Sequence, residues 1–166
     1  MRALMLLLAL VPVAAHANDV VIPSVFHISK SENKNEVHFS VRLDSQCAFI
    51  DDEPVTAYWR DREISESATS PLLFLERRAY DLDDLTRESP QHARFVLRAL
   101  PERAIDLQIT RRPDGTCSAK AIAMVGGEPS RLKKVYAKLS GWSIDYVVIQ
   151  AVRVRDGVMI EERVEP

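Results

Sequence analysis

The stretch FHISKSENKNEVHFSVRL, residues 26–43, alternates apolar and polar side chains on both sides of a central polar segment. Apolar residues at every second position are typical of a strand with one buried face. The central segment is rich in Ser and Asn, which favour turns. The stretch therefore predicts a β-hairpin with one apolar and one polar face.

The hydrophobic pattern also predicts how the two strands pair. We place a two-residue loop at residues 33–34, because asparagine tolerates the left-handed backbone region that such a loop needs. Ile28 then faces Phe39, and a slip of one residue would mix apolar with polar side chains. In this register His27 and His38 are diagonal neighbours on the polar face.

Most of the remaining chain repeats the strand pattern, with turn residues such as Gly126-Gly127 and Asp156-Gly157 between the runs. The further predicted strands cover residues 54–60, 94–100, 104–110, 117–125, 132–139, 144–154 and 158–164.

One segment differs from this pattern. Ser70 is a candidate N-cap and Pro71 suits the first helical position, so a short helix is predicted from there. The alternative is an extended edge, because Pro71 also suits the start of a strand. The sequence as a whole predicts a mainly β fold, an antiparallel β-sandwich or small β-barrel of about nine or ten strands with one short helix.

The first residues have the features of an export signal. Arg2 precedes an apolar run, and small residues end it, so residues 1–17 are predicted to be a signal peptide cleaved between Ala17 and Asn18. The run is too short to be a permanent membrane anchor. We expect residues 18–166 to form a single exported soluble β domain, periplasmic or secreted.

The chain has two cysteines, Cys47 and Cys117. In an oxidising compartment they allow one intramolecular bridge, which we favour. A metal pair would need more ligands near each sulfur, and no C-x-x-C motif indicates redox chemistry.

Charge and motifs exclude several functions. The formal net charge is −2 at pH 7, which gives no basic surface for nucleic acid. The chain has no G-x-S-x-G, H-E-x-x-H, P-loop or G-x-G-x-x-G motif. We therefore assign no catalytic residue, cofactor or metal ligand, and enzymatic activity stays uncertain.

The polar hairpin face and the neighbouring AYWRDRE segment supply the candidate binding residues. In a strand, Tyr58 and Arg60 share one face, and Trp59 points to the other. A solvated surface is the alternative, and a metal site would need a third ligand beside the two histidines. The candidate binding residues are His27, Ser29, His38, Ser40, Arg42, Tyr58 and Arg60.

The segments FHISKSENKNEVHFSVRLDSQC, PVTAYWR and PLLFLERRAYDL, with the closing DYVVIQ, DG and EERVEP, resemble an exported bacterial family, the domain-of-unknown-function family 4833. The resemblance covers nearly all of the chain after residue 17 and implies one domain with a signal peptide. It implies no activity, ligand or site residue.

These observations favour a non-enzymatic binding module for a small ligand or an envelope partner. One alternative is a hydrolase-like enzyme in which His27 or His38 acts as general base and the fold supplies an acid. The other is a structural envelope protein, for which a surface without a pocket would be the sign.

Overall fold

The computed structural model of the 166-residue chain describes residues 19–140 and 143–165. The predicted signal peptide and its cleavage site between Ala17 and Asn18 lie outside the described residues. The described elements are, in order, β1 (Val20–Lys30), β2 (Glu36–Leu43), β3 (Val55–Arg60), β4 (Thr69–Pro71), α1 (Phe74–Tyr80), β5 (Leu82–Ser89), β6 (His92–Leu97), β7 (Leu100–Arg111), β8 (Cys117–Val125), β9 (Glu128–Ser140), β10 (Ser143–Arg153) and β11 (Met159–Val164).

The strands form one curled sheet that resembles half of a barrel. Its main path runs β4-β3-β2-β1-β9-β8-β7-β6-β5, and β10 and β11 branch from β9. The branch is possible because β9 is long: its first half pairs with β8, its second half pairs with β1, and its other edge pairs with β10. The predicted mainly β fold with one short helix is confirmed, but β1 and β9 are parallel to each other.

The hairpin of β1 and β2 forms, but the predicted register is wrong by two residues near the turn. Phe26 faces Phe39 and His27 faces His38 directly, so the connection is longer than the predicted two-residue loop. A β-bulge between Ile22 and Phe26 then shifts the register by two more residues. Because both shifts are even, the paired side chains of the two strands keep their predicted faces. Within the bulge, Ser24 contacts His38 on the face opposite to Phe26.

The helix begins later than the sequence indicates. Ser70 and Pro71 end the short edge strand β4, which pairs with β3, and α1 begins at Phe74. Proline is tolerated on such an edge because no neighbouring strand needs its missing N–H. The backbone N–H of Leu73 donates to the Glu76 carboxylate over 2.7 Å, which caps the first turn.

The apolar core lies on one face of the curled sheet. Phe26 stacks on Phe39 with ring centroids 4.4 Å apart, and Phe95 extends the stack. Most of its other side chains come from β1 to β3 and from β6 to β10. This face, called the inner face below, receives the apolar half of each alternating strand.

The predicted disulfide is confirmed. Cys47, in the loop after β2, is bonded to Cys117 at the start of β8, with a Cα–Cα distance of 5.5 Å. The bond joins two parts of the sheet that are 70 residues apart in sequence. In the described part of the chain, no helix has the length and apolar character needed to cross a bilayer.

Candidate functional site

The predicted polar face of the hairpin is the outer face of β1, β2 and β3. His27, His38 and Tyr58 lie side by side across the three strands. The rings of His27 and His38 are stacked, with centroids 5.0 Å apart, and His38 and Tyr58 are 5.8 Å apart. His38 is only 4% exposed, so its hydrogen bonds are shielded from water.

Both ring nitrogens of His38 have a partner. Its Nδ1 lies 2.7 Å from the Ser24 hydroxyl oxygen, and its Nε2 lies 2.9 Å from Oε2 of Glu36. Glu36 reaches the ring because residues two apart on a strand share a face. Ser24 belongs to the segment between Ile22 and Phe26, where the β-bulge interrupts the pairing with β2. We call Ser24, Glu36 and His38 the Ser–His–Glu cluster.

Two further side chains contact the Glu36 carboxylate. The Nε of Arg62 donates to Oε2 over 2.8 Å, and Nε2 of His27 lies 3.7 Å from Oε1. Burial on its own would raise the pKa of Glu36, but the hydrogen bonds from His38 and Arg62 and the charge of Arg62 outweigh it, so the pKa is lowered. The carboxylate is therefore ionised at neutral pH.

The two histidines are neutral at pH 7. The pKa of His27 is lowered to about 4, mainly by burial, with smaller contributions from His38 and Lys134 and against the opposing attraction of Glu36. Burial also lowers the pKa of His38, and the hydrogen bond and charge of Glu36 oppose this only in part. In each ring, one nitrogen is therefore unprotonated at neutral pH and can accept a hydrogen bond or a proton.

The remaining predicted binding residues have different surroundings. The Tyr58 hydroxyl donates to the carbonyl of Pro23 over 2.7 Å, and the Arg60 Nε donates to the carbonyl of Glu66. Ser29 is buried beside the histidines, and no hydrogen-bond partner for its hydroxyl lies among the described residues.

Ser40 and Arg42 lie further along β2. The Ser40 hydroxyl donates to the carbonyl of Thr56, and the Arg42 guanidinium pairs with Asp19 and Asp51. The structure thus brings His27, Ser29, His38, Tyr58 and Arg60 onto neighbouring positions, and it gives Ser40 and Arg42 separate contacts. That these residues bind a ligand stays a prediction.

A second candidate site opens on the inner face. Two adjoining cavities of about 890 and 690 Å³ share Ala99, Ile144 and Val147 in their linings. The larger one is also lined by Ile28 and Val135, which belong to the apolar core. Together the two cavities form the inner groove, an apolar channel along the curled sheet.

Trp59 lies at the end of the groove next to α1. Its ring packs edge-on against Tyr80, the last residue of the helix, with centroids 5.4 Å apart, and the Lys30 Nζ lies 5.2 Å from the centroid of the Trp59 ring. Trp59 is 8% exposed, and its indole Nε1 has no hydrogen-bond partner among the described residues. A buried N–H without a partner is uncommon in native proteins.

The other end of the groove carries an ion pair. Both terminal nitrogens of Arg103 contact the Glu162 carboxylate, at 2.7 and 2.8 Å, in a bidentate arrangement. The hydrogen bond from Arg103 lowers the pKa of Glu162 despite partial burial, with help from the Gly126 N–H. The two charged groups at this end of the groove are paired with each other. The groove-lining donor that lacks a hydrogen-bond acceptor among the described residues therefore lies at the Trp59 end.

Sequence reasoning missed three parts of these sites. Glu36 could have been found, because its spacing from His38 places it on the same face. Ser24 required knowledge of the β-bulge, and the inner groove required knowledge of how far the sheet closes. In the part of the chain that the structure describes, no group of three or more His, Cys, Asp or Glu side chains is arranged to hold a metal ion.

Fold and sites together define a disulfide-bonded, mainly β protein with an open inner groove and a hydrogen-bonded polar cluster on its outer face. The family model described as "Domain of unknown function (DUF4833)" matches residues 26–163, and the chain belongs to this family. Searches of curated proteins and of solved structures find no match to the chain.

Proposed function

We propose that the protein is an exported binding module that holds a small amphipathic ligand, an apolar chain with an anionic head, in the inner groove. The observation that carries this proposal is the buried, unpartnered Nε1 of Trp59 in the groove lining. A bound acceptor atom would satisfy this donor, for which the described residues supply no partner.

The lining of the groove suits an apolar ligand body. Ile28, Val135 and Val147 from three different strands line the larger cavity. Burial of apolar ligand surface against them contributes about 25 cal/mol per Å² removed from water. Each of the two cavities, of about 890 and 690 Å³, lies in the range of ordinary small-molecule sites, about 300–1,000 Å³.

The hydrogen-bond donors at the Trp59 end of the groove are the reason that we assign the polar head of the ligand to this end. Lys30 lies over the indole ring and lines the same cavity, and it makes no ion pair with another described residue. Glu76 also lines this end, but its carboxylate is engaged by the Leu73 N–H. A carboxylate head would accept from both the Lys30 ammonium and the Trp59 N–H.

Two observations support export. Residues 1–17 have the pattern of a signal peptide, and the Cys47–Cys117 disulfide is typical of an oxidising compartment such as the periplasm. The groove favours a small ligand over a purely structural envelope role, since a structural protein needs no cavity. An envelope partner is the other candidate occupant.

Calorimetric titration with dodecanoate tests the proposal. We expect saturable binding that weakens about 5-fold in Trp59→Phe, which removes one hydrogen bond of about 1 kcal/mol, and more in Lys30→Met. Lys133→Met is the matched control, because Lys133 is exposed and outside the groove lining. It should leave the affinity unchanged.

The opposite results are equally clear. Absence of heat at millimolar dodecanoate, or equal affinity for dodecyltrimethylammonium, would exclude an anionic amphipathic ligand in the groove. If the protein does not bind dodecanoate but crosslinks to an envelope protein, a protein partner would be favoured instead.

A further inference from the structure

We infer that the Ser–His–Glu cluster is a catalytic site for hydrolysis of short acyl esters, with Ser24 as nucleophile, His38 as general base and Glu36 as the group that orients the base. This site is separate from the inner groove, because the cluster lies on the outer face of the sheet. It does not depend on ligand binding in the groove.

The distances meet the requirement for proton transfer. A nucleophile and its base must lie within about 2.6–3.2 Å of each other, and the base must be held by a third group. Ser24 Oγ and His38 Nδ1 are 2.7 Å apart, and His38 Nε2 and Glu36 Oε2 are 2.9 Å apart. Arg62 fixes the carboxylate from its other side.

The hydrogen-bond partners also fix the tautomer of His38. An ionised carboxylate only accepts hydrogen bonds, so the Nε2 of a neutral His38 ring must carry the proton that is donated to Glu36. Its Nδ1 is then an acceptor, and the Ser24 hydroxyl donates to it. In this arrangement the free lone pair of the imidazole is aimed at the serine proton.

The surroundings expose the nucleophile and shield the base. Ser24 is exposed, whereas His38 is covered by the rings of His27 and Tyr58. The bulge leaves residues 23–25 without pairing partners in β2. The backbone N–H of Val25 is therefore outside the regular register next to the nucleophile, and we assign it to the developing oxyanion.

The reaction balances with water as the only co-reactant. The Ser24 oxygen attacks the ester carbonyl, its proton passes to Nδ1 of His38, and the leaving alkoxide takes that proton as its bond to the acyl carbon breaks. Water, deprotonated by the same nitrogen, then attacks the acyl-serine ester. The carboxylic acid leaves and the Ser24 hydroxyl is restored.

The position of Ser24 indicates the substrate class. Neither cavity of the inner groove is lined by Ser24, Glu36 or His38. An exposed nucleophile without a deep acyl pocket suits a short acyl group, such as acetyl, that projects from a larger molecule. A long acyl chain would find no apolar lining at this face.

The experiment uses the full exported chain, with a fluorophosphonate probe and p-nitrophenyl acetate. We expect one probe adduct at Ser24, located by peptide mapping, and none in Ser24→Ala. Glu36→Gln should reduce the rates of labelling and of acetate release at least 100-fold, as expected for loss of the correct tautomer. Ser143→Ala is the control, because Ser143 belongs to β10 and its exposed hydroxyl donates to the Ser140 carbonyl.

The contrary outcome is defined in the same assay. The inference is overturned if a folded protein, verified by circular dichroism, gives no Ser24 adduct, or if Glu36→Gln is labelled as fast as the parent chain. Labelling is measured without dodecanoate, so a failure of the catalytic site and a failure of ligand binding in the groove are distinguishable.

Discussion

Glu36 accepts a 2.9 Å hydrogen bond from His38 on the face of the sheet that contains no part of the apolar core. The same carboxylate binds Arg62 and lies near His27. One acidic side chain therefore organises the outer face, and its removal leaves the buried Nε2–H of His38 without this acceptor.

Glu36→Gln is expected to lower the free energy of unfolding by about 1–3 kcal/mol, the cost of leaving a buried polar partner unsatisfied. Urea denaturation at pH 7 measures this. Glu66→Gln is the matched control, because Glu66 also contacts Arg62 but is 83% exposed. Its effect should be below about 0.5 kcal/mol, as for other surface ion pairs. Equal effects of the two variants would contradict the account.

The lowered pKa of His27 predicts a loss of stability in acid. An unfolded histidine binds a proton below about pH 6.5, whereas folded His27 does so only near pH 4, so the unfolded state gains protons first as the pH falls. Stability should therefore decrease between pH 6.5 and 4, by on the order of 2 kcal/mol after allowance for partial exposure.

Denaturation midpoints measured across this pH range test the assignment. The slope of the denaturation midpoint against pH should be smaller in His27→Gln, since glutamine does not titrate. An unchanged slope in that variant would show that other groups cause the acid sensitivity.

The disulfide should contribute a large part of the free energy of unfolding. Removal of Cys47–Cys117, which closes a loop of 70 residues, is expected to cost about 4 kcal/mol by the loop-entropy relation. The double variant Cys47→Ala/Cys117→Ala, compared with the oxidised parent in urea, provides the measurement. A difference below about 1 kcal/mol would contradict a constraining role for this bond.

Phe39 should be a highly sensitive position among the stacked aromatic residues. Phe39 is fully buried against Phe26, so Phe39→Ala is expected to destabilise the protein by about 3–5 kcal/mol. Phe74 in α1 is 72% exposed, and Phe74→Ala should cost less than about 1 kcal/mol. Similar melting temperatures for the two variants would contradict the location of the core.

Local patterns in the sequence predicted much of the fold. The alternation of apolar and polar residues assigned Phe39 to the core and His38 to the opposite face, and the cysteine count predicted the disulfide bridge. The register was wrong because shifts of two residues preserve the face of every side chain, so the hydrophobic pattern does not distinguish them. The parallel pairing of β1 with β9 is a long-range contact that no local pattern encodes.

The sites were predicted less completely for the same reason. The histidine pair followed from the hairpin. Glu36 was missed although its spacing from His38 places it on the same face, and Ser24 reaches His38 only through the bulge. Trp59 was correctly placed on the opposite face from Tyr58. That its indole borders a groove depends on the curvature of the whole sheet, which alternation in single strands does not determine.

The most direct test of the proposed ligand site is the fluorescence of Trp59 during titration with dodecanoate, in a Trp142→Phe background that leaves Trp59 as the only tryptophan. A head group bound to the indole N–H should give a saturable shift of the emission maximum, and Lys30→Met should move its midpoint to higher dodecanoate concentration. An emission spectrum that stays unchanged up to millimolar dodecanoate, in a folded protein, would contradict the assignment of the inner groove as the binding site.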